Sequence, residues 1–583
     1  MNEPSANLTG PVRVWAPHAS AVDLVLEGRP PVPMTAEDAG WWAAPEPLPS
    51  GTDYAFSLDG GPPRPDPRSP WQPHGVHGMS RTFDAGGHAW SDGGWAGRSV
   101  LGSVVYELHV GTFTPEGTLD AAVGRLDHLV RLGIDMVELM PVAAFPGERG
   151  WGYDGVALYA VQDAYGGPAA LQRFVDAAHA RGVAVCLDVV YNHLGPDGNY
   201  LAEFGPYFTE RHHTPWGAAV DLGVTEVRRF VIDNALRWFR DFHLDALRLD
   251  AVHALVDDSP RHLLAELADA VDALGREVGR PLSLVAESDL NDPVMVTPTA
   301  EGGRGMTAQW DDDVHHALHA LLTGERQGYY ADFGDVATLA KALTDVFVHD
   351  GTYSTFREQT WGAPVPEDVD GRRFVVFSQN HDQVGNRALG DRPSRALEPG
   401  LLAVAAAVVL LGTGTPMLFM GEEWGATTPF QYFTDHEPGL GEAVREGRTR
   451  EFGTHGWAEL YGHDIEVPDP QAPETFRASR LDWGEPDREP HAALLELYRS
   501  LVALRHAEPD IASGDRTATT VEPGDGWLVL RRGGLDVVLA LRGDVEVPTS
   551  AAEAVLTWND EPRLLPGRVR FPAPGVAVLR RRP

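Results

Sequence analysis

The sequence predicts an α/β fold: a closed (β/α)8 TIM barrel flanked by an N-terminal β-sandwich and a C-terminal antiparallel β domain. The first observation is a rhythm of strand, loop, helix and strand that begins near Ser103 and repeats eight times, as parallel β/α units do. The second is the composition on either side, where short alternating polar and apolar runs stand between Pro and Gly residues, a pattern typical of small β domains. We therefore expect the sandwich in residues 1–95, the barrel in 96–510 and the C-terminal domain in 511–583.

The elements of the outer domains are short. In the N-terminal domain, residues 12–15 and 22–26 alternate as strands do, and the proline-rich segment 60–73 is expected to be the exit loop. In the C-terminal domain, residues 527–531 and 537–541 are the clearest strands.

The eight barrel strands follow one another between residues 104 and 420. We expect them at residues 104–110, 136–140, 184–190, 246–250, 282–287, 307–310, 374–378 and 417–420. Amphipathic helices are expected near residues 119–132, 169–181, 227–241, 261–278 and 491–505. The intervals 191–224 and 311–373 are long, and long loops on a barrel usually build its functional site.

Charge and composition exclude several kinds of protein. The chain has 583 residues, 43% of them apolar, and a net charge of −37, which argues against nucleic acid or an anionic membrane as a partner because both need a basic face. Cys186 is the sole cysteine, so an intrachain disulfide is excluded and a buried, inert thiol is expected. The N-terminus lacks the pattern of a signal peptide, and the apolar run 401–411 is too short to span a bilayer. We expect a soluble cytoplasmic protein.

Three predicted strands each end in an acid: Asp250, Glu287 and Asp382. Carboxylates at the ends of buried strands cost desolvation energy unless they are paired or used, and the strand ends of a barrel meet in one mouth. Arg248 lies two residues before Asp250, so both side chains should share a face, where the guanidinium favours an ionised carboxylate. Retaining glycoside hydrolysis needs one ionised and one protonated carboxyl group. We therefore predict Asp250 as nucleophile, Glu287 as acid/base and Asp382 as stabiliser of the transition state.

Histidines lie close to these acids in the sequence. His193 closes the third strand, His253 follows Asp250 by three residues and His381 precedes Asp382; neutral imidazoles can donate hydrogen bonds to sugar hydroxyls. Each segment alone also fits an ordinary structural role, such as a strand end or a buried ion pair. Their order on strands three, four, five and seven is what favours a shared site.

Segments 188–193, 247–253, 285–288 and 378–382 resemble the four signature regions of the α-amylase superfamily of retaining glycosidases. The resemblance extends over nearly the whole chain and implies the same three roles for the acids. It also implies that Arg248, His193 and His381 bind substrate and that Tyr153, in Trp151-Gly-Tyr-Asp154, stacks on the sugar being cleaved.

Finer features narrow the choice within the superfamily. Segment 106–113 and the N-terminal sandwich resemble branching enzymes, whereas segments 195–200, 310–316, 381–387 and 420–425 are more similar to members that hydrolyse the α-1,4 bond next to the terminal trehalose of malto-oligosyltrehalose. That similarity implies release of trehalose and a shortened maltodextrin. It further implies substrate contacts by Asp312, His315, His316, His253, Gln383 and Asn386. Trp216 is a candidate for holding the trehalose end, and equally a candidate for packing.

No metal or other cofactor is expected. Asn192 occupies the place at which amylases often bind structural calcium, and Asp311–Asp313 lie close to His315 and His316. The spacing of that acidic cluster fits no standard zinc or EF-hand pattern.

Three alternatives remain open at this stage. A glycogen branching or debranching enzyme would share the acids and the sandwich, and would form or cleave α-1,6 branches. A catalytically silent scaffold that binds glucan or a partner protein would usually lack one of the acids. A metal-dependent barrel hydrolase would be sensitive to a chelator.

Overall fold

The structure is a computed structural model that describes residues 11–214, 217–452, 460–461, 465–559 and 562–581. Two antiparallel sheets precede the barrel. One contains Arg13–Trp15, Trp41–Ala43 and Thr35–Ala36, and the other contains Val32–Pro33, Val22–Leu26, Asp53–Leu58 and Ser80–Arg81. The two strands expected here are therefore confirmed.

The expectation that segment 60–73 is the exit loop is wrong. After this segment the chain returns to the sandwich, where Ser80–Arg81 pairs with Asp53–Leu58. The segment stays tied to the sheet, since Arg64 forms an isolated antiparallel bridge with Phe56 and the buried Tyr54 hydroxyl donates to Asp66 at 2.6 Å.

Eight parallel strands then close into a barrel in the order in which they occur along the chain. We name them β1 (Val105–Leu108), β2 (Met136–Leu139), β3 (Ala184–Val189), β4 (Ala246–Leu249), β5 (Ser283–Ala286), β6 (Ala308–Trp310), β7 (Phe374–Phe377) and β8 (Thr415–Phe419). The predicted fold class is confirmed, and the predicted strands differ from the observed ones by one or two residues at their ends.

Helices cover the outside of the barrel and form parts of its loops. Among the described residues, the α-helices include Val110–Phe113, Leu119–Val123, Leu126–Leu132, Gly167–His179, Leu201–Phe204, Thr225–Asp241, Leu263–Val278, Asp312–Thr323, Val336–Asp345, His381–Gly385, Pro399–Leu411, Pro438–Phe452, Pro473–Ala478, His491–Ala507 and Pro509–Ala512. The helix expected over 119–132 is two helices, because the chain makes a tight turn at Gly124, whose backbone N–H donates to the Ala121 carbonyl. The two long loops carry hairpins, Phe208–Thr214 with Gly217–Val220 and Thr352–Ser354 with Gln359–Trp361.

The barrel interior changes from apolar to polar along the strand direction. Its lower layers are filled by Val105, Met136, Ala184, Cys186, Ala246, Val285, Ala308, Val375 and Met417. Side chains alternate along a strand, so the next inward positions toward the carboxyl ends include Asp188 and Arg248, which are register partners on β3 and β4. The polar layer therefore lies at the mouth, where the predicted acids follow the strands.

The C-terminal domain contains a five-stranded and a three-stranded antiparallel sheet. The strands are Thr519–Gly524, Trp527–Arg532, Leu535–Ala540, Gly575–Arg581 and Ala551–Thr557 in the first sheet, and Val545–Pro548, Arg568–Phe571 and Arg563–Leu565 in the second. The apolar helix Pro399–Leu411 is buried between this domain, the barrel and helix His491–Ala507. Within the described residues, no helix combines the length and apolarity needed to cross a membrane.

Candidate active site

Arg248, on β4, is the centre of the site. Its side chain is fully buried, and its Nη1 donates to Asp188 Oδ2 and to Asp250 Oδ1, both at 2.8 Å. Its Nη2 lies 2.9 Å from Glu287 Oε2. One planar guanidinium therefore contacts carboxyl groups from the ends of three adjacent strands, β3, β4 and β5. The expected shared face of Arg248 and Asp250 is confirmed by this contact.

Asp250 is held on both sides. Asn192, just after β3, donates from Nδ2 to Asp250 Oδ2 at 2.8 Å and to the Asp250 carbonyl at 2.9 Å. Together with Arg248, it fixes both carboxylate oxygens of a side chain that remains 11% exposed. Asn192 thus orients Asp250 through its side-chain amide.

Glu287 lies beside Asp250 in a different electrostatic environment. It accepts the Ala251 backbone N–H at 2.7 Å. Burial raises its pKa to about 8; the positive charge of Arg248 opposes this shift, and the negative charges of Asp250 and Asp382 add to it. Glu287 is therefore protonated at neutral pH.

Asp382 follows β7 and has the opposite protonation state. Burial raises its pKa, but His381, whose Nε2 lies 3.4 Å from Asp382 Oδ2, outweighs burial and leaves the pKa at about 2. Asn386 donates to Asp382 Oδ1 at 3.0 Å. The cleft therefore contains one protonated carboxyl group and one carboxylate that stays ionised over the whole physiological range.

Tyr153, His381 and His193 form a connected wall beside the acids. The Tyr153 hydroxyl donates to Asp188 Oδ2 at 2.6 Å and lies 2.7 Å from His381 Nε2. The two rings are nearly parallel, with centroids 5.1 Å apart. His193 Nε2 lies 3.0 Å from the Tyr153 carbonyl. The structure thus brings together these three residues, all of which the sequence singled out.

Asp312 and Gln383 lie on the neighbouring side. Gln383 Nε2 donates to Asp312 Oδ1 at 3.2 Å, so the start of helix Asp312–Thr323 contacts the segment that carries Asp382. Burial raises the pKa of Asp312 to about 7, and the negative charges of Asp382 and Asp313 contribute. The structure therefore places Asp312 and Gln383 in the electrostatic field of Asp382.

Three predicted histidines make their contacts with residues other than the three acids. His315 is buried, with Nδ1 2.8 Å from the Ser378 carbonyl and Nε2 3.1 Å from the Tyr330 hydroxyl, so both ring nitrogens face protein groups. His316 packs on Tyr329 with ring centroids 4.9 Å apart. His253 is exposed, and its Nδ1 lies 3.7 Å from Asp289 Oδ1. Trp216 lies outside the described residues.

The sequence analysis did not predict two residues that hydrogen-bond to the predicted site residues. Asp188 joins Arg248 to Tyr153, and Glu107 on β1 accepts from His381. The sequence pattern could have identified both, because alternation along the strand places each side chain inside the barrel near the carboxyl end of its strand, as it does for Arg248. What the sequence does not show is the partner, which for Glu107 lies 274 residues away.

The acids of segment 311–313 have structural partners. Asp311 accepts the backbone N–H of Asp313 at 3.2 Å and caps the helix. Asp313 accepts from Asn291 at 2.9 Å and from the Val348 backbone N–H at 2.7 Å. Over the part of the chain that the structure describes, no group of three or more His, Cys, Asp or Glu side chains is arranged to hold a metal ion.

Comparisons with known proteins agree with this fold. A family model described as "Alpha amylase, catalytic domain" matches residues 81–216. The crystal structure of a putative alpha amylase from Salmonella typhimurium is 38% identical, covers 99% of both chains and superposes with a TM-score of 0.89. The class defined by the barrel and its acids is therefore that of the glycoside hydrolases of the α-amylase family.

Curated relatives define a narrower family. A malto-oligosyltrehalose trehalohydrolase from Arthrobacter ramosus is 55% identical over 578 residues, which are 97% of this chain and 99% of that protein. Another from Rhizobium sp. (strain M-11) is 51% identical and covers 97% of both chains. The chain belongs to the malto-oligosyltrehalose trehalohydrolase family.

Proposed function

We propose that this protein hydrolyses the α-1,4-glucosidic bond next to the terminal trehalose of malto-oligosyltrehalose, releasing trehalose and a shortened maltodextrin. The support is similarity over the full length to trehalohydrolases and a cleft whose acids suit glycoside hydrolysis. Water is the acceptor in this reaction. Related α-1,4-glucans are expected to bind the same cleft.

The observation that carries the proposed mechanism is the shared guanidinium of Arg248. Asp250 and Glu287 contact its two terminal nitrogens at 2.8 and 2.9 Å, so the two carboxyl groups are held close together on one planar group. Retaining glycosidases need a separation of about 5–5.5 Å between nucleophile and acid/base. A shared guanidinium is compatible with such a separation, and we propose double displacement rather than an inverting route, which needs room for a water molecule between the carboxyl groups.

The proposed reaction has two steps, in which Glu287 acts first as an acid and then as a base. In the first, the Asp250 carboxylate attacks the anomeric carbon while Glu287 gives its proton to the leaving trehalose oxygen. In the second, ionised Glu287 takes a proton from water, which attacks the same carbon and releases Asp250. Asp382, ionised throughout because its pKa is about 2, stabilises the positive charge that develops on the sugar.

Tyr153 is proposed to stack on the sugar that is cleaved, with His193 beside that sugar's hydroxyls. Arg248 and His381, which the sequence also predicts to bind sugar, are almost fully buried and contact the acids and Tyr153, so they are proposed to hold those groups in place. Residues at the rim are proposed to contact the rest of the substrate, namely His253, Asp312, His316, Gln383 and Asn386. His315, whose nitrogens are occupied by Ser378 and Tyr330, is proposed to support the end of β7 rather than to touch sugar.

The test is product analysis on matched substrates. Maltotriosyl-trehalose is compared with maltopentaose, which has the same number of glucose units and no trehalose end. Trehalose and maltotriose should form much faster from the first substrate, and proton NMR should show the maltotriose as its α-anomer before it mutarotates. No free trehalose would refute the function, and an initial β-anomer would refute the double displacement.

The alternatives give different products. A branching enzyme would introduce α-1,6 linkages into amylose, and a debranching enzyme would cleave pullulan. A silent scaffold would turn over none of these substrates. A metal-dependent hydrolase would lose activity in EDTA, whereas we expect trehalose release to be unchanged.

A further inference from the structure

Glu107 is a buried carboxylate whose two oxygens both serve one histidine. It lies on β1 and is 1% exposed. Its Oε2 accepts the His381 backbone N–H at 2.9 Å, and its Oε1 lies 2.5 Å from His381 Nδ1. An ionised carboxylate can only accept, so two contacts from one carboxyl group to this residue fit an Nδ1 that carries a proton.

The other ring nitrogen of His381 also faces acceptors. His381 Nε2 lies 2.7 Å from the Tyr153 hydroxyl and 3.4 Å from Asp382 Oδ2. The Tyr153 proton is already donated to Asp188 Oδ2 at 2.6 Å, so the hydroxyl accepts from His381. Both nitrogens are therefore donors, and the ring is an imidazolium cation.

The surroundings of His381 favour this charge. Burial alone would lower the pKa of His381, but Asp382 and then Glu107 outweigh it and raise the pKa well above its ordinary value. His109 nearby stays neutral because burial lowers its pKa to about 4. The titratable and charged groups around the ring are Glu107 on β1, His109 after β1, Tyr153 after β2, Asp188 on β3, Arg248 on β4 and Asp382 on its own segment.

We propose that Glu107 is a positioning residue that keeps His381 doubly protonated and thereby fixes Tyr153 and Asp382 at the sugar-binding end of the cleft. This inference rests on the proposed function, because it assigns Glu107 a task in the same reaction. Glu107 acts on Tyr153 and Asp382 through His381 and does not itself touch the substrate. Its carboxylate provides the countercharge that lets a buried imidazolium persist.

Glu138 offers a matched comparison on the next strand. It is the register partner of Glu107 on β2 and is equally buried. Its Oε1 has no hydrogen-bond partner among the described residues. Burial, with Glu107 and Asp188, raises the pKa of Glu138 to about 8, so it is neutral at pH 7 and a glutamine there changes shape and charge little.

The decisive measurement is the protonation state of His381. In Glu107→Gln the amide oxygen can accept the His381 backbone N–H, but the amide NH2 then faces Nδ1 and requires it to be an acceptor. Long-range ¹⁵N–¹H correlation spectra of ¹⁵N-histidine-labelled protein, assigned with His381→Asn, should show an imidazolium at pH 8 in the wild type. They should show a neutral ring in Glu107→Gln and an imidazolium in Glu138→Gln.

Kinetics on maltotriosyl-trehalose give a second readout. Loss of a hydrogen bond to a charged group should lower kcat/KM by about tenfold to a hundredfold in Glu107→Gln. The acidic limb of the pH profile should also move to higher pH, because Asp382 loses its neighbouring cation. Glu107→Asp keeps the charge and should restore the imidazolium and part of the activity, and Glu138→Gln should stay close to wild type.

Several outcomes would overturn the proposal. An imidazolium that persists in Glu107→Gln would do so, and so would an activity loss with an unshifted acidic limb, since a merely structural role predicts that pattern. If Glu107→Gln does not fold, Glu107→Asp still tests the charge, because a neutral His381 in that variant contradicts the proposal. Failure of the wild type to release trehalose would refute the proposed function instead, and the histidine spectra would remain interpretable.

Discussion

The alkaline side of the pH profile should report Glu287. The perturbation is a rise in pH on the wild-type enzyme, and kcat/KM reports the protonation state of the free enzyme in the step that releases trehalose. That step needs protonated Glu287. Since the carboxyl group is buried beside Asp250 and Asp382, its pKa is about 8 and its proton is lost only in mildly alkaline solution.

The size of the effect follows from this pKa. With a value of about 8, about nine-tenths of the enzyme carries the proton at pH 7 and about one-tenth at pH 9. Above the midpoint, kcat/KM should fall roughly tenfold for each further pH unit. A carboxyl group with an ordinary pKa near 4.5 would already be ionised at pH 7 and could not donate.

The assay measures initial trehalose release from maltotriosyl-trehalose between pH 5 and 10, with enzyme returned to pH 7 after each incubation to show that it has not denatured. Glu287→Gln is the control, because its residual activity should lack a limb near pH 8. A profile that stays flat through pH 9.5, or a limb that persists unchanged in Glu287→Gln, would refute the assignment of the proton to Glu287.

Three further predictions concern the same cluster. Asp250→Ala should fold normally, by circular dichroism, and lose several orders of magnitude in kcat; near-normal turnover would overturn its role. Glu287→Gln should have a higher Tm than wild type by an amount that grows from pH 5 to pH 8, because the folded state keeps a proton up to about pH 8 that the unfolded chain releases near 4.5; an advantage that shrinks with rising pH would contradict the raised pKa. Arg248→Lys should lower kcat/KM by about tenfold to a hundredfold, since one ammonium cannot reproduce a fork that spans three carboxyl groups; an unaffected kcat/KM would show that the fork is dispensable.

The sequence was sufficient for the barrel and for its acids because both follow from local patterns. Strand period, helix period and the acids at strand ends together predict β4 with Asp250 and β5 with Glu287, and alternation along β4 predicts that Arg248 faces the same way. These inferences need a few residues at a time. Because all eight strands are parallel, their carboxyl ends lie at the same mouth of the barrel, so the acids that follow them are expected there together.

Other features depend on contacts that local patterns do not encode. Glu107 contacts His381, which lies 274 residues away in the sequence. Strand alternation predicts that Glu107 faces the barrel interior, but it does not predict which residue Glu107 contacts there. His315 and His316 are consecutive helix residues, which point about 100° apart, so both could not face the cleft equally. Segment 60–73 is held to the sheet by the Arg64 bridge to Phe56 and by the Tyr54 bond to Asp66, and no local signal distinguishes that segment from a linker.

The protonation of Glu287 is a property of the whole cluster rather than of one residue. Among the described residues, the barrel mouth gathers two cations, Arg248 and His381, with a larger number of carboxyl groups, which include Glu107, Glu138, Asp188, Asp250, Glu287, Asp312 and Asp382. A buried site cannot hold that many uncompensated negative charges, so protons remain where compensation is weakest. His381 compensates Glu107 and Asp382 directly, whereas Glu287 shares Arg248 with Asp188 and Asp250. Burial and the neighbouring acids therefore keep protons on Glu138 and on Glu287, and Glu287 is the position at which the leaving oxygen needs one.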